Sequence, residues 1–322
     1  MTTSTMRLPS LDFLLEQQGG AVTSQQLYAA GATVKEVQQA RRRGDLVDLR
    51  RGIYADAAFY RRLDDEQRYR LGTHAALLAL DAPAALSHTT AALWCDLPLL
   101  EPLLGIQHVT RPEARASRIE AGIHHHPGAL PSDDVVAARG ARATRPARTA
   151  VDIARTQDFA RGLAAADSAL RSGATRLELE RVMAFCRAWP GARGASRVVS
   201  AADGRAANPG ESWSRARLLM AGLDPTDLQV EIRDGRGLVG YADFGWLPLR
   251  VLGEFDGKGK YGAEAGAAAD AVWQEKIRED RLRAVGFHIV RWTWTDLLQP
   301  EPWLGRVRVA LAAAQARDSR GA

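Results

Sequence analysis

The chain has 322 residues, which is long for one hydrophobic core and predicts two or three domains. Its composition, 46% hydrophobic and 25% charged, is that of a soluble globular protein. No apolar run approaches the roughly 20 residues that cross a bilayer, and the N-terminus lacks the apolar core of a signal peptide. Cys95 and Cys186 form neither a disulfide framework nor a metal-knuckle spacing. We therefore expect a cytoplasmic protein with no membrane partner.

Basic charge is concentrated in the first two thirds of the sequence. Residues 1–207 hold 27 Lys and Arg against 22 Asp and Glu, whereas residues 208–322 hold 16 of each. The net charge of +5 therefore lies entirely upstream. This excess suggests an anionic partner such as DNA, although it is modest for the length.

The first 62 residues are predicted to form a winged helix-turn-helix domain. The predicted elements are a helix Leu11–Gln18, a second helix that is capped by Thr23 and ends near Ala30, a third helix Val34–Arg43 and a hairpin over residues 46–54. Thr33 is the predicted cap of the third helix, and Val34, Val37 and Ala40 are expected to face the core. Three short helices followed by a two-stranded wing is a known DNA-docking layout, and the expected partner is double-stranded DNA.

Polar and basic side chains fall where this layout would meet DNA. The predicted contacts are Lys35, Gln38, Gln39, Arg41, Arg42 and Arg43 in the third helix and Arg50 and Arg51 in the hairpin. The alternative is structural, because basic residues at a helix C-terminus also complement the helix dipole and a charge run is usually a solvated face.

Residues 63–207 are predicted to form an α/β middle region. Helices are expected over Glu66–Leu80, Thr89–Asp96, Thr149–Arg155, Leu163–Arg171 and Leu177–Ala188, and strands over Gly105–Thr110 and Gly122–His126. The segment Ala192–Pro209, rich in Gly, Ala, Ser and Arg, is predicted to be a linker.

The triplet His124, His125 and His126 raises the question of a metal site. Successive strand residues face opposite sides, so at most two of the three could converge, and no Cys, Asp or Glu lies nearby at ligand spacing. We interpret the triplet as a polar strand end, and His88 as a residue of a helix-capping region.

Residues 208–322 are predicted to form helix, three-strand meander, helix, strand. The segments are a helix from Glu211 to about Gly222, strands Leu228–Arg233, Leu238–Phe244 and Arg250–Asp256, a helix Ala267–Val285 and a strand Phe287–Trp292. The pattern Gly235-x-Gly237-x-x-Gly240 is no dinucleotide site, because a strand follows it instead of a helix. Four tryptophans are interpreted as core or interface residues: Trp246, Trp273, Trp292 and Trp294.

Carboxylates in this meander are spaced for a shared cation. Asp243 and Glu254 lie on strands joined by a tight turn, and alternation places Glu254 and Asp256 on one face. Mg²⁺ or Mn²⁺ prefers such hard oxygen ligands, and the ion can generate hydroxide and stabilise charge on a phosphate. The sequence therefore predicts a metal site of Asp243, Glu254 and Asp256.

The segment from Gly210 to Leu298 resembles the very-short-patch-repair-like branch of the PD-(D/E)XK nucleases. The resemblance lies in Asp243-Phe244, Glu254–Gly257 with Lys260-Tyr261, Glu275–Asp280 and Gly286–Trp292. It implies a restriction-endonuclease-like α/β domain, with a mixed sheet flanked by helices, in which Asp243 and Glu254 hold the metal and Glu211 assists. Asp256 stands where the family usually has lysine, so Lys258 or Lys260 would have to reach back, or the basic group is missing.

The upstream part resembles AbiEi-type antitoxins of type IV toxin–antitoxin systems. Leu11–Tyr54 is similar to their winged helix, and Leu86–Ala92 and Thr144–Asp152 to the region that follows. This resemblance implies operator binding, repression of a toxin–antitoxin operon and a nucleotidyltransferase toxin as cognate partner.

Two hypotheses follow for this protein, which is α/β in class and α+β overall. The first is a Mg²⁺- or Mn²⁺-dependent DNA endonuclease with Asp243, Glu254, Asp256, Lys258 and Glu211 as catalytic residues. The second is an antitoxin-like transcriptional repressor with an inert nuclease-like domain.

Overall fold

A computed structural model describes residues 20–80, 84–100, 104–257 and 268–321. Two compact units divide the chain: residues 1–96 with 101–145, and residues 97–100 with 146–322. The region predicted to be a winged helix thus shares a unit with the region that follows it, and the helices after residue 146 share a unit with the C-terminal sheet. The boundaries expected from the sequence, at 62/63 and 207/208, fall inside these units. The predicted helix Leu11–Gln18 and the residues Lys258 and Lys260 lie outside the described residues.

The described part of the N-terminal region combines a small three-stranded sheet with four helices that have side-chain N-caps. Its elements are β1 (Val22–Thr23), α1 (Ser24–Ala29), α2 (Val34–Arg43), β2 (Leu46–Arg50), β3 (Ile53–Asp56), α3 (Ala57–Arg62) and α4 (Asp65–Leu78), and the sheet order is β1-β3-β2. Thr23 and Thr33 each accept a bond from the backbone three residues on, within a complete capping box. Val37 and Ala40 are buried as expected, but Val34 is 54% exposed, so its inward placement was wrong. Val34 is the first residue of the helix, and its side chain faces solvent instead of the core.

A six-stranded mixed sheet completes the first unit. Its strands are β4 (Ala85–Leu86), β5 (Gln107–Arg111), β6 (Arg118–Glu120), β7 (Ile123–Pro127), β8 (Val135–Ala138) and β9 (Ala141–Thr144), in the order β6-β7-β5-β4-β9-β8, and α5 (His88–Trp94) follows β4. Strand β5 pairs with β7, and β4 pairs with β9, in parallel, whereas β4 and β5 are antiparallel. Leu86, Val109 and Ala143 are fully buried in its core.

Helices open the second unit, including one where a linker was predicted. They are α6 (Pro146–Thr156), α7 (Phe159–Arg171), α8 (Arg176–Phe185), α9 (Ala192–Ala201) and α10 (Pro209–Met220). The linker prediction was wrong for Ala192–Ala201, because Ala195, Val198 and Val199 recur at helical spacing and are buried. Small residues made this stretch resemble a connection, although three of its side chains form a core stripe.

The C-terminal sheet has the predicted order of helix, meander, helix and strand. Its elements are β10 (Asp227–Asp234), β11 (Gly237–Trp246), β12 (Val251–Asp256), α11 (Ala268–Ala284), β13 (His288–Thr293), α12 (Trp294–Leu298) and α13 (Pro300–Gly321). The sheet order is β10-β11-β12-β13, with β12 and β13 parallel. Trp246 and Trp292 are buried as predicted, and Trp294 packs against the same core. Among the described residues, no helix combines the length and apolar character needed to cross a membrane.

Candidate functional site

One face of α2 presents polar side chains to solvent. Lys35, Gln38, Gln39 and Arg42 are all exposed. At 3.6 residues per turn these four positions fall within an arc of about 100° around the helix. Val37 and Ala40 lie on the opposite side, in the core. The structure therefore brings four of the eight predicted DNA contacts onto one solvent-facing surface, which we call the α2 face.

The other four predicted DNA contacts differ in the side chains that they pair with. Arg41 forms a bidentate pair with Asp48 at 2.8 and 2.7 Å, and Arg43 donates to Asp45 at 2.9 Å. Both arginines remain exposed. Arg51, in the hairpin turn, is also exposed. These three arginines therefore remain exposed to solvent, two of them with an acidic partner.

Arg50 is held inside the first unit. Its guanidinium donates to the carbonyl of Ala121 and, at 2.8 Å, to the side-chain oxygen of Gln107. Burial lowers the pKa of Arg50. The contacts tie the wing to the six-stranded sheet, so Arg50 has a structural task that the sequence did not indicate.

In the second unit, Gln229 bridges two of the predicted carboxylates. Its side-chain nitrogen lies 3.0 Å from Glu211 Oε2 and 3.1 Å from Asp243 Oδ1. Glu211 comes from the first turn of α10, where Asn208 and the Ala207 amide also donate to it. Gln229 has a φ of +50°, a left-handed conformation rarely adopted by residues other than glycine.

Both bridged carboxylates hold protons more tightly than usual. Burial, followed by the charge of Asp243, raises the pKa of Glu211 to about 7. Burial also raises the pKa of Asp243, against the opposing bonds from the Phe255 amide and Gln229. The pair is thus a buried acidic site in which Glu211 is partly protonated near neutral pH.

Glu254 is clamped by two arginines. Arg278 donates to both of its oxygens at 2.8 Å, and Arg291 donates to Oε2 at 2.8 Å. Asp243 is on the adjacent strand, as predicted, and its Oδ2 accepts the Phe255 amide at 2.8 Å. Asp256 is at the exposed end of β12.

The carboxylates as arranged do not fit a divalent cation. The oxygens of Glu254 are matched by guanidinium groups, and those of Asp243 and Glu211 accept protein N–H groups. Among the described residues, these acids do not form a group of three whose ligand atoms lie within 4.8 Å of one another. An ion at Glu254 would have to displace or compete with three charge-assisted bonds from two arginines.

Comparison with known proteins gives relatives over most of the chain. The sequence is 30% identical over 249 residues to the uncharacterized protein Rv2248 of Mycobacterium tuberculosis strain H37Rv, covering 77% of this chain and 81% of that protein. The same values hold for the uncharacterized protein MT2308 of strain CDC 1551. This chain belongs to the Rv2248 family.

Within this member of the Rv2248 family, residues 101–200 match the family described as AbiEi antitoxin C-terminal domain. The match contains Thr144–Asp152, one of the motifs that carried the antitoxin resemblance, and ends before the C-terminal sheet. A crystal structure of the RV2827C protein from Mycobacterium tuberculosis is similar at a TM-score of 0.40 and 18% identity, over 70% of this chain and 87% of that one.

Sequence reasoning missed two groups of residues in this Rv2248-family chain. Gln229, Arg278 and Arg291 come from separate elements, and only their spatial convergence reveals their bonds to the carboxylates. The second group is histidine: two of the triplet, His124 and His126, share a face as alternation predicts, but the approach of His88 and His108 to them was missed. Burial, with a contribution from His124, lowers the pKa of His108 to about 4.

Proposed function

We propose that this protein is an antitoxin-type transcriptional repressor that binds double-stranded DNA through its winged helix. The observation that carries the proposal is the antitoxin-domain match over residues 101–200, joined in the same chain to the exposed α2 face. A nucleotidyltransferase toxin encoded nearby is the proposed cognate partner. The C-terminal domain is proposed to have nuclease-like topology without cleavage activity.

The chemistry of the α2 face suits the major groove. Glutamine amides such as Gln38 and Gln39 can pair with adenine edges, and Arg42 or Lys35 can contact guanine or phosphate. Arg51 in the wing would add a phosphate contact outside the groove. The Arg41–Asp48 pair holds the helix end against the hairpin, which fixes the angle at which the helix meets DNA.

A binding assay tests this proposal directly. Fluorescence anisotropy should show tighter binding to duplexes from the region upstream of the chain's own reading frame than to shuffled duplexes. Gln38→Ala and Arg42→Ala should each weaken the specific complex by about 1–3 kcal/mol, since each removes a base or phosphate contact. Arg61→Ala, at an exposed arginine of the separate helix α3, is the matched control. Equal binding of both duplexes, or equal loss in Arg61→Ala, would contradict the proposal.

The second candidate is metal-dependent cleavage of DNA, which one observation favours. Gln229, on the strand next to Asp243, has a strained backbone conformation, and strained residues concentrate at functional sites. On this hypothesis Asp243, Glu254 and Asp256 would bind Mg²⁺ or Mn²⁺, with Lys258 and Glu211 assisting.

Plasmid nicking separates the two candidates. We expect no nicking with Mg²⁺ or Mn²⁺, because the arginines already neutralise Glu254. Metal-dependent nicking that disappears in Asp243→Asn with Glu254→Gln would instead establish the endonuclease. Suppression of a neighbouring toxin's growth defect by wild-type protein, and by the same double variant, would support the repressor alone.

A further inference from the structure

Four of the chain's seven histidines meet on one face of the six-stranded sheet. His108 lies in β5, and His124 and His126 lie in the parallel strand β7, with His108 in register with His124. Because alternate residues of a strand share a face, these three rings lie on the same side. His88 comes from the first turn of α5, and its ring is centred 3.8 Å from that of His126.

Three of these rings bring nitrogen atoms within reach of one ion. One ring nitrogen each of His88, His108 and His126 lies within 4.8 Å of the others. His108 Nδ1 and His126 Nε2 are 2.9 Å apart. Two nitrogen ligands of a tetrahedral zinc ion, each about 2.0–2.1 Å from the metal, are separated by about 3.3 Å. The His108–His126 separation is about 0.4 Å shorter than this value and the other pairs lie within 4.8 Å, so small ring rotations would complete the geometry.

The surrounding bonds hold these rings in place. The Ser87 amide donates to the His108 carbonyl at 3.0 Å, and the His108 amide donates to Thr90 Oγ1 at 2.7 Å. His88 has a φ of +52°, and its Nδ1 is 2.9 Å from Ser87 Oγ. Such a bond to the second ring nitrogen orients a metal-binding histidine and leaves Nε2 to the metal.

A buried hydroxyl lies on the same face. Thr110 follows His108 by two residues and is in register with His126. It is 1% exposed, and its Oγ1 has no hydrogen-bond partner in the described part of the chain. A polar atom placed there is available to a water molecule bound to the ion.

We propose that His88, His108 and His126 form a binding site for a borderline divalent cation, with Zn²⁺ as the first candidate and His124 at its rim. Imidazole nitrogen suits zinc, copper and nickel, whereas Mg²⁺ prefers oxygen ligands. Three neutral ligands leave a fourth position for water or for His124. One of the two rings donates a proton in the His108–His126 hydrogen bond. When the metal binds, this proton shifts to the other nitrogen of the same ring, so the site releases no proton.

Zinc titration of the full chain tests the site. We expect one Zn²⁺ per chain by isothermal titration, with no heat from Mg²⁺. His108→Ala and His126→Ala should abolish binding, and Ser87→Ala should weaken it about 10–100-fold, as for other residues that orient a ligand. His288→Ala, an exposed histidine of the second unit, and His125→Gln, on the opposite face of β7, should leave the affinity unchanged.

Three outcomes would overturn the proposal. They are the absence of stoichiometric zinc binding, equal loss in His288→Ala, and loss in Asp243→Asn, which would assign the ion to the carboxylates of the other unit. X-ray absorption of the zinc-loaded wild type decides the matter if an alanine variant fails to fold. Three or four imidazole ligands support the site, and two or fewer contradict it.

Discussion

Individual side chains decide what the predicted nuclease site can do. Glu254 and Asp243 stand on adjacent strands, as alternation and the tight turn predicted. The partners of these acids were beyond prediction, because Arg278 and Arg291 lie on a later helix and strand whose register against β12 is a tertiary property. The same reason hid the histidine cluster, whose members are separated by up to 38 positions and meet only through the β5–β7 pairing.

The buried carboxylate of Glu211 makes stability depend on pH. Its pKa is raised from 4.5 to about 7, so between these values the native state keeps a proton that the unfolded chain releases. The free energy of unfolding therefore falls as pH rises through this window. Above pH 7 it is reduced by the full cost of ionising Glu211 in the native state. Glu211→Gln removes the ionisable group. It should raise the free energy of unfolding by about 1–3 kcal/mol at pH 8 and change it little at pH 4.5.

Urea unfolding at the two pH values measures this effect. Glu180→Gln, at an exposed position of α8, is the control and should change neither value. A Glu211→Gln variant that is equally stabilised at both pH values would show that packing, and not ionisation, is responsible.

At the scale of elements, helices with explicit caps were predictable and very short strands were not. The Thr-x-x-Gln and Thr-x-x-Glu patterns at Thr23 and Thr33 fixed the starts of α1 and α2. Strands β1 and β4 have two residues each, too few for alternation to be seen. These strands form only because neighbouring strands pair with them. The composition of Ala192–Ala201 predicted a linker where the structure has a helix, since its small residues pack in a core.

The cap of α2 should contribute measurably to the stability of the helix that we propose contacts DNA. Thr33 Oγ1 accepts the Glu36 amide at 3.3 Å, and Glu36 accepts the Thr33 amide at 2.8 Å. Thr33→Ala removes the first of these bonds and should lower the free energy of unfolding by about 1 kcal/mol. Thr33→Ser keeps the hydroxyl and should lose much less. Thermal unfolding of both variants tests this, and equal losses would show that the hydroxyl bond is not the cause.

At the scale of the whole molecule, the charge distribution separates a basic upstream part from a neutral C-terminal part. The entire net charge of +5 lies in residues 1–207, the part that contains the predicted winged helix and all of the antitoxin-domain match. Several acids of residues 208–322 pair with arginines of the same segment, such as Glu254 with Arg278 and Asp234 with Arg281. Sequence order and charge thus favour the upstream part as the one that meets DNA, which stays a prediction, and they could not show how the chain divides into compact units.

This distribution makes a quantitative prediction for salt dependence. Each phosphate contact releases counterions, so the logarithm of the binding constant falls with the logarithm of salt concentration by about 0.9 per contact. Arg42→Ala should reduce the magnitude of this slope by about 1 if Arg42 meets a phosphate. Gln38→Ala should weaken binding to the specific duplex with the slope unchanged, because an amide reads a base without releasing ions. Anisotropy titrations at several salt concentrations measure both effects. An unchanged slope in Arg42→Ala, together with a reduced slope in Arg308→Ala of the C-terminal helix, would place the DNA-binding surface in the second unit.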